Sequence, residues 1–267
     1  MPDPEEPDFG LIDAGNSLLG GRAEDPYEAI RRLPLNGDGS WYVTFGGQIR
    51  ERVETSHNPD FGLSEPADNT YLLHRIMLSA DLHLGQSFRA FVQLVNALAP
   101  GWNGPKPATQ EDQLDLLQAF AELTLPLGED AVMLRAGRQE MSYGSSRLVS
   151  VRESPNVRRA FDGFRGAWIG TDLRIDTFLV RPVTPALGLF NDSSNLDQAF
   201  WGVYATPPVD ALPGLNVDLY YLGLNREDAT FAQGTATENR QTFGTRLFGE
   251  RGGFDWDVEA ALQVGSF

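Results

Sequence analysis

The chain has 267 residues, 41% of them hydrophobic, with 37 acidic against 21 basic residues and a formal net charge of −16. That balance argues against general nucleic-acid binding, which depends on Lys and Arg neutralising phosphates. There is no cysteine, which excludes disulfides, thiolate metal sites and Cys nucleophiles, and no run approaches the roughly 20 apolar residues of a membrane-spanning helix.

Residues 1–40 are acidic, rich in Pro and Gly, and aperiodic. They read as an irregular periplasmic N-terminal segment with one short helix near Asp25–Arg32. The opening MPDPEEPDFG has neither a positive start nor an apolar stretch, so it is not a signal peptide. An exported protein with this beginning is expected to have lost its leader, or the sequence to start late.

From residue 41 the pattern changes to strict alternation, the signature of half-buried strands. Trp41, Val43, Phe45, Ile49 and Val53 occupy one phase; Tyr42, Thr44, Gln48, Arg50, Arg52 and Glu54 occupy the other. Eleven such segments follow in order: 41–54, 71–84, 87–97, 114–126, 131–141, 163–170, 172–182, 197–207, 214–226, 239–249 and 253–265. Leu72, Ile76, Leu78 and Leu82 oppose Arg75, Ser79, Asp81 and His83. Leu117, Ala119, Ala121 and Leu123 oppose Gln118, Glu122 and Thr124. Leu215, Val217, Leu219 and Tyr221 oppose Asn216 and Asp218.

The links between segments alternate long and short. Thr55–Thr70 is long and Gly85-Gln86 tight; the Pro/Gly-rich link near residues 99–112 is long and Leu127–Asp130 tight. Ser142–Asp162 is the longest and Gly170-Thr171 tight. Val183–Leu196 is long, Pro208–Pro213 shorter, Glu227–Glu238 long and Gly249–Gly252 tight. Membrane barrels sort their links in this way, with short turns in the periplasm and long loops outside. The fold predicted is therefore all-β: an antiparallel up-and-down transmembrane β-barrel formed by residues 41–267. A soluble β-sandwich or β-helix is the alternative, although its strands usually run to only about five or six residues.

Arginine is concentrated in one stretch. Residues 137–166 hold Arg138, Arg147, Arg152, Arg158, Arg159 and Arg165 together with Glu140, Glu153 and Asp162. Further arginines lie on the polar phase of strands: Arg50, Arg52, Arg75, Arg89, Arg135, Arg174, Arg240 and Arg246. In a barrel these point inward, and an arginine-lined lumen favours anions. The competing reading is that each Arg pairs with an acidic neighbour and braces the wall. His57, His74 and His83 are scattered without ligand spacing, so neither a metal nor a cofactor is expected. Asp255, Asp257 and Glu259 share one strand face and could form a hydrolytic carboxylate pair, or simply a wet inner wall. Ser142, Ser145 and Ser146 have no His nearby in sequence. Trp41, Trp168, Trp201 and Trp256 suit interfacial girdles and a sandwich core equally.

The stretch FGGQIRERVE (Phe45–Glu54) resembles the first strand of the bacterial alginate-export outer-membrane porin family. Residues Leu134–Arg165 resemble that family more closely still, at Gly137, Arg138, Gln139, Glu140, Tyr143, Gly144, Arg147, Arg152, Glu153, Pro155, Asn156, Arg158, Arg159, Phe161 and Asp162. The resemblance implies a monomeric barrel in the bacterial outer membrane that passively conducts an anionic, alginate-like polysaccharide through an arginine-lined pore. It implies no chemistry, and partners limited to the polymer, membrane lipid and periplasmic export proteins. Other small anionic or sugar-like solutes, or a soluble β-sheet binding protein, remain as alternatives. Family barrels have about eighteen strands and closed barrels an even number, whereas eleven are read here. Phe267 is also out of phase with Leu262 and Val264. The chain is expected to be an N-terminal part of a larger barrel.

Overall fold

A computed structural model describes residues 32–63, 68–209 and 214–267. The helix expected near Asp25–Arg32 lies outside these residues except for Arg32, which opens the first strand. Strand β1 is Arg32–Pro34, β2 Trp41–His57, β3 Asp68–Leu84, β4 Phe88–Leu98, β5 Asp112–Leu127 and β6 Asp130–Gln139. Then come β7 Phe161–Ile169, β8 Arg174–Thr184, β9 Ser193–Ser194, β10 Gln198–Thr206, β11 Leu215–Phe231, β12 Gly234–Arg251 and β13 Phe254–Ser266. One helical turn, α1 (Pro59–Gly62), lies between β2 and β3. No described helix is long and apolar enough to cross a membrane.

All thirteen strands belong to one antiparallel sheet. Each long strand pairs with its neighbours in the chain, and short β9 pairs with the end of β8. The sheet is open, with β1 and β13 at its edges. The eleven long strands are the eleven alternating segments of the sequence. Short β1 and β9 fall in segments read as irregular and as a link.

Two expectations need correction. The ninth link is not a loop: β11 and β12 run on to Phe231 and Gly234. A register shift between Arg226 and Ala229, with Asp228 at φ 50°, absorbs the polar residues that looked like loop. Pairing then resumes at Ala229↔Ala236 and Thr230↔Thr235, so the long–short alternation of links stops here. The second correction is Leu117, placed on the greasy phase but in fact buried with Met77 and Val95. The register of β4 on β5 shifts between Gln93↔Gln118 and Leu94↔Leu116, and the extra residue reverses the phase.

Burial is inverted relative to a water-soluble sheet. Ile49 and Val53 are each 71% exposed and Phe164 67%, and Leu78, Leu134, Leu179, Val258 and Leu262 lie on the same outer face. Arg75, by contrast, has no exposed surface, and Gln93, Gln118, Arg135, Arg165, Asp176 and Asp218 are buried on the inner face. The sheet therefore turns its apolar side outward.

The loop from β6 to β7, residues 140–160, folds against this polar side. At its start, Met141, Tyr143 and Val149 pack with Phe178, Tyr204 and Tyr220. At its end, Val157 and Ala160 pack with Met77, Val95 and Leu117. Between them Glu153 bonds Arg50 on β2, and Arg147 bonds Glu259 on β13. Six residues of chain reach at most about 21 Å, whereas ten strand spacings of a flat sheet span about 48 Å. The sheet must curl for one loop to hold both strands, and its polar face is concave.

Candidate functional site

The concave face is built by strand alternation, which sends Arg50, Arg52, Arg75, Arg89, Arg135, Arg165, Arg174, Arg240 and Arg246 to one side. Register creates a conflict there. Arg50 lies directly opposite Arg75, and Arg135 opposite Arg165. Like charges facing across strands repel, so each pair needs an anion. Glu153, carried by the loop, serves the first pair: Arg50 donates to its carboxylate at 3.0 Å and to its backbone carbonyl at 2.9 Å, and Arg75 also bonds the carboxylate. The Arg158 Nε approaches Glu153 at 3.2 Å and Glu140 at 2.8 Å, both as ion contacts off the line of a hydrogen bond. Burial works against the Glu153 charge, but the Arg75 hydrogen bond and the charges of Arg158, Arg75 and Arg50 outweigh it. The carboxyl is held below its ordinary range.

Backbone recognition completes the dock. Arg52 donates to the Ser154 carbonyl at 2.5 Å. Fully buried Asn156 donates its amide toward the carbonyls of His74, Leu98 and Gln110, each at 3.1 Å, and Gln110 accepts its N–H. Sequence marks Asn156 only as one position of the stretch that resembles the family; its docking role shows once its neighbours are known.

Most of the other arginines brace the wall. Arg135 bonds Glu122, its register partner, at 2.8 Å. Arg165 and Arg174 share Asp176, Arg89 takes Asp81 through both oxygens, and Arg240 and Arg226 share Glu238. Arg246 bridges Asp218 at 3.1 Å and Asp257 at 2.9 Å; Arg147 meets Glu259 at 2.9 Å, and Tyr220 donates to the same carboxylate. These partners lie on strands and face the same side of the sheet as the strand arginines they bind. Asp257 and Glu259 thus work as counter-charges within ion pairs.

Arg138 and Asp162 do not join the concave face. Register pairs Arg138 with Ala119 and Asp162 with Arg181, on the phase of exposed Leu134, Phe164 and Leu179. They bond each other through two contacts, at 2.9 and 3.1 Å, at the long-loop end of the strands. The histidines stay apart: His57 pairs with Asp68, His74 with Glu51 and His83 with Asp81.

Arg152 and Arg159 differ from all of these. Among the described residues, no carboxylate pairs with either guanidinium. Both sit on the docked loop; Arg152 is exposed at φ 55°, and the Arg159 N–H donates to the Val151 carbonyl at 2.7 Å. Burial, with Arg152 beside it, pushes Arg159 down to about 10, so it remains a cation at neutral pH. The loop carries in two positive charges that the wall leaves uncompensated.

No curated protein matches the chain. A family model described as Alginate export matches residues 41–267, the whole of the sheet from β2 onward, and the chain therefore belongs to the alginate export family.

Proposed function

We propose that this chain forms part of an outer-membrane β-barrel channel that passively conducts an anionic polysaccharide of the alginate type. The family is one of export, and the inverted sheet supplies the physical form for it. Spanning strands in lipid need an apolar outer face and paired backbone groups; the long strands here offer the apolar face, and those between the two sheet edges pair with a neighbour on each side. The observation that carries the anion reading is the pair of uncompensated arginines on the loop against the concave face. Paired arginines set the wall and contribute little net field, whereas Arg152 and Arg159 add positive potential along the route. A repeating carboxylate polymer would meet rigid, permanently charged forks there. Passage needs no bond to break, and Asp257 and Glu259 of β13 are already committed to arginines.

Reversal potentials in planar bilayers holding the full-length protein test this. Anion selectivity is expected, reduced by Arg152→Glu and further by Arg159→Glu. Selectivity unchanged in both variants would remove these residues from the filter.

A further inference from the structure

Asp112 opens β5, has no exposed surface and, among the described residues, has no hydrogen-bond partner for either carboxylate oxygen. Oxygens of Asp112, Asp115 and Asp192 all lie within 4.8 Å of one another. They meet because β5 departs from β6: pairing of the two strands reaches only to Ala119↔Arg138. Beyond that point the link from β8 to β9 fills the vacated edge. The Leu114 N–H donates to the Gly188 carbonyl at 3.3 Å, and the Phe190 N–H to the Leu114 carbonyl at 2.8 Å. Asp115 accepts backbone N–H groups from Asn191 at 2.7 Å, Asp192 at 2.9 Å and Leu116 at 2.6 Å; Asp192 accepts from Ala186 at 2.7 Å. Asp112 accepts none.

Charge is out of balance at this spot. Arg138 is 3.6 Å from Asp115, yet its guanidinium is already engaged by Asp162. One guanidinium faces four carboxylates. A buried carboxylate is stable only when paired or coordinated, and Asp112 brings an unpartnered oxygen into a cluster with too little positive charge to balance it.

We propose that Asp112, Asp115 and Asp192 bind a hard divalent cation, Ca²⁺ in preference to Mg²⁺, which ties the β8–β9 link to the end of β5. The donors are all oxygen, with neither His nor Cys, which suits a hard cation over zinc or copper. A link supplying one ligand tolerates the variable coordination of Ca²⁺ better than the strict octahedron of Mg²⁺. The sequence hid the site because Asp192 is distant from the other two and Asp112 reads as the end of a polar loop.

Calorimetric titration of CaCl₂, and separately MgCl₂, into EDTA-treated full-length protein in detergent tests the assignment, with thermal unfolding alongside. One Ca²⁺ per chain is expected, with Kd on the order of 10⁻⁴–10⁻³ M and a rise in Tm with Ca²⁺. Asp112→Asn should weaken binding by at least about tenfold. That variant keeps the shape and removes a buried charge, so its Tm in EDTA should equal or exceed that of the wild type, which separates a lost ligand from a lost fold. No Ca²⁺ binding, tighter Mg²⁺ binding, or binding undiminished in both Asp112→Asn and Asp192→Asn would overturn the proposal.

Discussion

Replacing Arg75 with Met should loosen the 140–160 loop without unfolding the sheet. Arg75 is fully buried, and its guanidinium bonds Glu153, the Gln48 side chain at 3.2 Å and the Asn156 carbonyl at 3.4 Å. A hydrogen bond to a charged group contributes about 1.5–3 kcal/mol. Here the lower part of that range applies, because the Glu153 side chain is 54% exposed and keeps Arg50 and Arg158. Met fills much of the vacated volume, and removing Arg75 also relieves its repulsion with Arg50. Together these leave about 1–2 kcal/mol lost from docking, or roughly 5- to 30-fold more of the undocked loop. Hydrogen exchange in detergent reads this directly at Val157, whose N–H donates to the Thr109 carbonyl at 2.9 Å, and at Arg159. Both amides should exchange faster by that factor while strand amides do not change. In a Glu153→Gln background the same substitution should cost less, since the two residues share one interaction. Exchange at Val157 and Arg159 unchanged in Arg75→Met would refute the claim that this ion cluster holds the loop.

Other outcomes follow from the same geometry. Acid should release the loop: the Glu153 carboxyl is depressed when folded, so its contribution is complete above the ordinary carboxylate pKa of about 4.5 and is lost as pH falls through the depressed value. Exchange at Val157 measured from pH 7 to pH 3 should accelerate only below that range, after correction for the intrinsic rate; acceleration starting near neutrality would contradict it. Gly137→Ala should destabilise the sheet by at least about 2 kcal/mol, because a Cβ at φ +130° would stand 2.3 Å from the Ala119 carbonyl oxygen. A Tm in detergent equal to that of the wild type would be inconsistent with that contact. Arg89→Gln, which removes a brace bonded to Asp81, should lower stability while shifting anion selectivity far less than Arg159→Glu, as reversal potentials would show.

Strand order and phase were legible because alternation is written residue by residue, and outward and inward positions differ in polarity at nearly every step. The reading failed where local irregularity intervened. The bulge before Ala229 turned a supposed loop into hairpin, and the shift near Leu117 moved a leucine inward. The inward arginines were also legible, but their pairing was not, since partners such as Asp176 and Glu153 are fixed by register and by the path of a loop. That path gives Arg152 and Arg159 their distinction. In sequence they look like Arg147 and Arg158; only the docked geometry shows that, among the described residues, the latter two have carboxylates and the former two have none. Arg138 misled for a related reason, since it belongs by sequence to the arginine-rich stretch and by phase to the other face.

The most direct test of the central claim is the reversal potential of the full-length protein in a planar bilayer under a salt gradient, for the wild type and for Arg152→Glu/Arg159→Glu. The account predicts discrete channels that prefer anions, with the preference reduced or reversed in the double variant. Channels equally selective in both proteins, or cation-selective in the wild type, would contradict it.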